Sequence, residues 1–438
     1  SCSLVGSEMC IRDRNYILGT IFYKYLSDSM LYYVAELLEE ENVSLEEAQK
    51  LYEENQDDQY LIEELDIKFN YVIEAKNTYT NILKSINNHT FQVSQLGDAF
   101  NSIESQGKEF EGLFDDYDLY SKRLGNTAQK QSDTISKVLS AIGKLEIVKT
   151  PEDTLGNAYE YLIKQFASES GKKAGEFYTP QKVSRLLARL TLVDKDYTDG
   201  MTVYDPTMGS GSLLLNFRKY VEHSERITYF GQEINTSTYN LARMNMILHH
   251  VDVVNQKLRN NDTLDEDWPV EEITNFDTVV MNPPYSQKWS ANAGFKDDPR
   301  FSAYGVLPPK SKADYAFLLH GYYHLKHSGV MAIVLPHGIL FRGAAEGKIR
   351  KKLLENGAID AVIGLPANLF YNTSIPTTIV VLKKDKQDRD VLFIDASKDF
   401  RKVKTQNELR DEDVEKILTT YKAVSYTHLR AHETAANL

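Results

Sequence analysis

MTVYDPTMGSGSLLL, residues 201–215, is the stretch on which the fold turns. MTVYD has the β-branched and aromatic composition of a strand, and it stops at Asp205. Gly209-Ser210-Gly211 follow, and an apolar helix-forming run begins at once. Glycine lets main-chain N–H groups approach a ligand, and a helix N-terminus offers N–H groups that lack intrahelical partners. The dinucleotide fingerprint G-x-G-x-x-G is absent, because Leu214 stands where its third glycine belongs. An acidic residue ahead of the loop suits a cationic ligand, such as an ammonium or sulfonium group, better than a pyrophosphate. The alternative is a structural turn.

The same texture continues outward. MTVYD, ITYFGQEI, FDTVVMN, GVMAIVLP, DAVIGLP, TTIVVLKKD and VLFIDAS read as strands. LLLNFRKYVEH, TYNLARMNMILHH, ADYAFLLHGYYHL and AAEGKIRKKLLENG read as the helices between them. Nearly continuous apolar strands separated by helices predict a mostly parallel sheet covered on both faces, with ligands at the carboxyl ends of the strands. At those ends, Glu233 in GQEIN can bridge two ribose hydroxyls or be a surface residue. Asp262 in RNNDTL can accept from an adenine amino group or close an Asx turn. Asn282-Pro283-Pro284-Tyr285 ends another strand, since proline has no N–H for a sheet. It reads as a stiff turn or as a ledge: the Asn282 amide oxygen and the Pro283 carbonyl accept both hydrogens of an exocyclic amino group, and Tyr285 stacks on the base. Two acceptors aimed at those protons draw the nitrogen toward tetrahedral geometry and stabilise the positive charge that develops when it is methylated. Residues 286–312 form a long connection, which is expected either to order over nucleic acid or to be disordered.

Upstream, Asn15 to about Lys144 is helical in pattern, beginning with NYILGTIFYKYLSDSMLYYVAELL. The acidic run over residues 39–66 reads as a solvated surface. Thr150-Pro151 with Glu152 and Asp153 marks the start of a further helix. A formal net charge of −13 argues against a protein that wraps nucleic acid in its own basic surface, though not against DNA as a substrate. No apolar run is long enough to span a membrane, and no metal is expected. The two cysteines, Cys2 and Cys10, give no disulfide framework, which suits a cytoplasmic protein. SLVGSEMCIRD and SYTHLRAHET resemble translated sequencing-adapter DNA, so residues 1–14 and 425–438 are expected to be non-native, a disordered leader being the alternative at the front.

DPTMGSGSLL, GQEIN, NDTL and NPPY, in that order, resemble the motifs of S-adenosylmethionine-dependent DNA N6-adenine methyltransferases. GEFYTP (175–180), ADYAFLLH (313–320), VLPHGILFRG (334–343) and NLFYNTSIPTTIVVL (368–382) narrow the resemblance to the modification subunit of type I restriction–modification systems. It spans Asn15 to Val424. Met208 departs from the small residue or cysteine commoner there, with little expected effect because the loop backbone does the binding. The resemblance implies a Rossmann-like class I methyltransferase fold over 149–424, preceded by an all-α domain over 15–148. It further implies S-adenosylmethionine bound by Phe177, Tyr178, Thr179, Pro180, Asp205, Gly209, Ser210, Gly211, Glu233 and Asp262. Catalysis would fall to Asn282, Pro283, Pro284 and Tyr285, with Phe370 on the other face of a flipped adenine. Phe177, Tyr178 and Phe370 can instead be core aromatics, and Asp314 can merely cap a helix. The implied partners are double-stranded DNA, a specificity subunit, a second copy of the chain and a restriction subunit.

Other reactions fit less well. Cytosine C5 methylation needs a cysteine nucleophile, and none lies beyond Cys10. Cytosine N4 enzymes resemble a Ser-Pro-Pro-Tyr ledge, whereas position 282 is asparagine. Glutamine N5 protein methyltransferases share NPPY but lack the helical leader and GEFYTP. A self-sufficient or orphan adenine methyltransferase, and a non-catalytic scaffold, complete the alternatives; the unbroken ledge and loop weigh against the scaffold.

Overall fold

The computed structural model describes residues 14–148, 154–169, 178–266, 268, 275–370, 373–403 and 406–436. The leader through residue 13, the helix-start signals at Thr150–Asp153, and Gly175–Phe177 of GEFYTP lie outside the described residues. The chain divides into two units, one reaching Glu169 and including Ile247–His250, the other holding the rest.

The first unit is helical: α1 (Arg14–Leu37), α2 (Leu45–Asn55), α3 (Gln59–Phe69), α4 (Tyr79–Asn87), α5 (Val93–Glu104), α6 (Ala128–Gly143) and α7 (Thr154–Glu169). Phe22, Leu26, Met30 and Val34, one turn apart along α1, are all buried, so α1 is the helix around which the others pack. Its Lys24–Asp28 pair is buried too, and desolvation pushes the Asp28 carboxyl up to about 6 against the pull of the lysine. A capping box starts α2, with the Glu47 N–H donating to Ser44 Oγ and the Ser44 N–H to Glu47 Oε2. Ala48, Gln49 and Tyr52 then face inward while Glu46 and Glu47 face water, so the acidic run has the solvated side expected of it.

The second unit is built on an eight-stranded sheet. Its strands are β1 (Met201–Asp205), β2 (Ile227–Gln232), β3 (Gln256–Arg259), β4 (Phe276–Met281), β5 (Leu325–Pro336), β6 (Ile359–Gly364), β7 (Thr377–Lys383) and β8 (Leu392–Asp395). They lie in the order β3-β2-β1-β4-β5-β7-β6-β8, and every neighbouring pair is parallel except those that involve β7. Successive side chains go to opposite faces. Val203, Val280, Ala332 and Val334 enter one apolar core, while Tyr204, Val279, Met281, Met331, Ile333 and Leu335 enter the other. Helices α8 (Gln181–Thr191), α9 (Ser212–Leu215), α10 (Thr236–Leu248), α11 (Asp314–Tyr323), α12 (Ala344–Glu355) and α13 (Asp411–Ala436) accompany the sheet. The expected mostly parallel, doubly covered sheet after a helical segment is therefore present.

Two local expectations are corrected. LLLNFRKYVEH is not one helix: α9 ends at Leu215 and tightens into a 3-10 turn over Asn216–Lys219. Leu213 through Phe217 are all buried, so that run has no solvent face on which an amphipathic helix could continue. Strand β5 starts at Leu325, ahead of GVMAIVLP. The backbone of α13 runs on through residues 425–436, which bears neither for nor against the expectation that this stretch is non-native. Among the described residues no helix is long and apolar enough to cross a membrane.

Candidate active site

The loop after β1 is shaped by its backbone. Gly209 and Gly211 have φ of 54° and 77°, conformations that only glycine adopts without steric cost. The Met208 N–H donates to the Gln232 carbonyl at 2.9 Å and the Gly211 N–H to the Met208 carbonyl at 2.8 Å. The Met208 side chain is buried in the core, which explains how the loop tolerates it. Ser210 is buried as well, its carbonyl accepting from Asn245 Nδ2 at 3.0 Å. Asp205 is 1% exposed, and its Oδ1 accepts from the Thr207 N–H at 2.9 Å. Burial pushes its carboxyl up to about 7 against the pull of the Thr207 hydrogen bonds, with a smaller push from the Glu233 charge.

A raised carboxyl has a stability signature. Between its unfolded value near 4 and about 7 the folded chain holds the proton more tightly, so the Asp205 contribution to stability falls as pH rises through that window. The urea midpoint of wild type relative to Asp205→Asn should therefore decline from about pH 4 to about pH 7 and level off above. A difference that stays flat across that range contradicts the assignment.

Beside this loop the end of β2 supplies Glu233. Its Oε2 accepts from the Gly209 N–H at 3.2 Å and its Oε1 from the Asn235 N–H at 2.8 Å. One carboxylate thus joins the glycine loop to its own turn. After β3, Asp262 Oδ1 accepts from the Leu264 N–H at 2.9 Å, so the Asx turn is real. Asp262 nevertheless lines, with Glu233, Ile234, Asn282, Pro284 and Phe317, a cavity of about 250 Å³. Asp262 thus closes an Asx turn and also stands on the cavity wall. Ile234, 63% exposed, adds an apolar side chain to the wall that carries the two carboxylates, and the motifs did not single it out. Its position directly after Glu233 was the available signal.

The ledge after β4 is fixed from both sides. Asn282 Nδ2 donates to Thr179 Oγ1 at 3.1 Å, and Tyr285 Oη donates to Asn282 Oδ1 at 2.6 Å. The described part of GEFYTP therefore meets NPPY: Thr179 holds the asparagine amide, Tyr178 is buried, and the Pro180 carbonyl accepts from Val183 and Ser184 as α8 begins. Burial and the Asp314 charge raise the Tyr285 hydroxyl well above its ordinary value, which keeps it a donor. Phe370 meets Tyr285 edge to face, centroids 6.0 Å apart at 88°, and is itself 5% exposed. In this structure the two rings touch each other and leave no parallel slot between them. Asp314 is the first residue of α11, whose N-cap is Ala313 without a side-chain cap hydrogen bond, so its carboxylate is not a helix cap. Its Oδ1 accepts from the Ser286 N–H at 2.8 Å, and its Oδ2 is paired with Arg342, which also grips Glu346.

The connection over 286–312 is packed, contrary to the disordered alternative. Trp289 stacks on Phe295, and its Nε1 donates to the Pro309 carbonyl. Arg300 is 2% exposed. It pairs with Asp298 and donates to the carbonyls of Thr263 and Leu264, each at 3.1 Å, in the turn that carries Asp262. Arg300 Nη1 also reaches His320 Nδ1 at 3.1 Å, and His320 Nε2 reaches Tyr204 Oη at 2.7 Å. Tyr204 donates to Gln232, and Gln232 Nε2 to Asn261 Oδ1 at 2.8 Å. Burial, followed by His324 and Arg300, holds His320 well below its ordinary pKa, so it is neutral and can accept from the guanidinium. Among the described residues no cluster of metal-ligating side chains is found.

Comparison with known proteins adds an independent finding. A family model described as N-6 DNA Methylase matches residues 150–436, and one described as the HsdM N-terminal domain matches residues 13–142. The type I restriction enzyme MpnII methylase subunit of Mycoplasma pneumoniae is 38% identical over 93% of this chain and 79% of its own length. The MjaVIII methylase subunit of Methanocaldococcus jannaschii is 32% identical over 94% and 70%. Among solved structures, a type I restriction–modification methyltransferase subunit from Streptococcus thermophilus is 56% identical. It superposes with a TM-score of 0.93, covering 96% of this chain and 90% of its own.

Proposed function

Since the chain belongs to the N-6 DNA methylase family, among the methylase subunits of type I restriction–modification systems, we propose that it methylates N6 of an adenine flipped out of double-stranded DNA, with S-adenosylmethionine as methyl donor. Its fold is the Rossmann-like class I methyltransferase fold behind a helical N-terminal region. The observation that carries the reading is Asn282, held between Thr179 and Tyr285 on the wall of a cavity that Glu233 and Asp262 also line.

The residues fit the cofactor. Asp205 is a buried carboxyl that gains most from a cation, Glu233 stands where ribose hydroxyls can meet it, and Asp262 and Ile234 suit an adenine. Phe177, Tyr178, Thr179, Pro180 and the backbone of Gly209, Ser210 and Gly211 complete the binding set. S-adenosylmethionine would supply the methyl group as an electrophile. The carbonyl oxygen of Asn282 has two lone pairs, and Tyr285 engages one of them. The second accepts one N6 hydrogen, and the Pro283 carbonyl accepts the other. These acceptors stabilise the positive charge that grows on N6, and a proton leaves once the methyl has arrived. Pro284 keeps the ledge stiff, Tyr285 stacks on the base, and Phe370 closes on its other face after the two rings part. The acidic chain takes its sequence reading from a specificity subunit, alongside a second copy of itself and, in a restricting complex, a restriction subunit.

The test is tritiated methyl transfer to unmethylated duplex DNA, with and without a co-expressed specificity subunit. Label only with the partner is the expected result. Label without it identifies a self-sufficient enzyme, and cofactor binding with no label in either case overturns the reading.

A further inference from the structure

The segment FRGAAEGKIRKK, residues 341–352, holds five basic residues against one acidic in a chain of net charge −13. Its first residue, Phe341, is 75% exposed. An exposed aromatic on a loose loop would mean little, but this loop is braced. Ile339 accepts from Tyr315 Oη at 2.8 Å and from Arg350 Nη1 at 2.9 Å, and Arg350 also holds the Arg342 carbonyl. The His337 N–H donates to the Pro376 carbonyl, which ties in the neighbouring loop with its half-exposed Ile375. Arg342 reaches Asp314, and Asp314 holds Ser286, the residue after Tyr285. The main chain at Phe341 is therefore braced, through Arg342 and Asp314, to the residue that follows the ledge.

Helix α12 runs on from that rim. Glu346, Ile349 and Leu353 face inward, leaving Lys348, Lys351 and Lys352 exposed on one side of the helix. Arg342 and Arg350 are consumed in bracing the loop, so these lysines are what the surface presents, with Lys351 3.7 Å from the Glu355 carboxylate one turn on. An exposed apolar ring on a braced loop, followed by a basic helix face in an otherwise acidic protein, has the chemistry of a surface for a stacked polyanion.

We infer that Phe341 and the Lys348–Lys351–Lys352 strip bind the duplex flanking the extruded base. The inference rests on the DNA reading above. Extruding a base leaves an unstacked step, and Phe341 wedges against it while the lysines take phosphates of the adjoining backbone. Charge favours DNA over a protein as the occupant, because the partner must be anionic along a strip and apolar at its end.

The test uses the complex with the specificity subunit and a duplex carrying 2-aminopurine at the target adenine. Lys348→Gln/Lys351→Gln/Lys352→Gln should lower the slope of log affinity against log salt by about 0.9 for each phosphate left without its lysine. Phe341→Ala should keep the wild-type slope, lose most of the 2-aminopurine fluorescence rise, and bind S-adenosylmethionine as wild type does. Wild-type slope and full fluorescence in both variants overturn the inference. Failure of the variants to co-elute with the specificity subunit also overturns it and assigns the surface to that protein. If the wild-type complex itself binds no duplex, the DNA reading falls first and this surface with it.

Discussion

Asn282→Ala should slow methyl transfer by at least about 10²–10³-fold while leaving S-adenosylmethionine affinity nearly unchanged. The side chain is the one movable acceptor on the ledge, and its oxygen is aimed by two contacts, Thr179 at 3.1 Å and Tyr285 at 2.6 Å. Alanine removes the acceptor from the developing charge and frees both neighbours; Thr179, of the groups assigned to the cofactor, loses one partner, while Asp205 and Glu233 keep their contacts. The selective loss of rate is the point. Single-turnover transfer measured beside calorimetric cofactor binding separates it from a general collapse of the site. A rate within tenfold of wild type would mean that the Asn282 acceptor contributes little to the chemistry. A large loss of cofactor affinity would make Asn282, which stands on the wall of the same cavity, a cofactor-binding residue instead of an acceptor for N6.

Arg300→Met should destabilise the second unit by about 3–5 kcal/mol, the usual cost of removing one partner from a buried ion pair. The guanidinium is 1% exposed and serves Asp298, the carbonyls of Thr263 and Leu264, and His320 at once. Methionine can fill much of the volume but takes away the guanidinium donor these groups share, in a region with little water to replace it, while Asp298 keeps the main-chain N–H of residue 300. Arg300→Lys should recover only part of the loss, since an ammonium cannot reproduce the planar fork. Both tryptophans of the chain report on this place: Trp289 packs on Phe301, and the Trp268 carbonyl accepts from Tyr204. Their fluorescence during urea unfolding is therefore the measurement. A midpoint shift worth less than about 0.5 kcal/mol, the range of ordinary surface substitutions, would show that the network is dispensable.

Where the sequence spoke clearly, it did so through local chemistry. The proline pair had to end β4, and the glycines had to bend the loop after β1; both are short-range constraints visible in a few letters. Strand β3, QKLR, carried no such signal, because it is an edge strand with partly exposed positions and so needs no apolar run. The reversed direction of β7 was equally silent in its residues. It follows from the connection, as no helix lies between Gly364 and Thr377 among the described residues to carry a parallel crossover. The site was legible in its parts and not in its joints. Thr179 meets Asn282 across 103 positions of chain, and Arg300 reaches back 37 to Thr263. Hydrogen bonds at such separations leave no periodicity to read. Asp314 shows the limit from the other side: ADYAF does open a helix, yet its carboxylate also fixes the backbone that follows Tyr285.

The central claim is that the ledge methylates an adenine amino group, and the most direct measurement is the chemical identity of the product. The complex with the specificity subunit would be incubated with unmethylated duplex DNA and S-adenosylmethionine bearing a deuterated methyl group. The DNA would then be digested to nucleosides for mass spectrometry. The account predicts the label in N6-methyladenine, and its disappearance with Asn282→Ala. Label in N4-methylcytosine, or in a glutamine of a protein in the mixture and none in DNA, would contradict it.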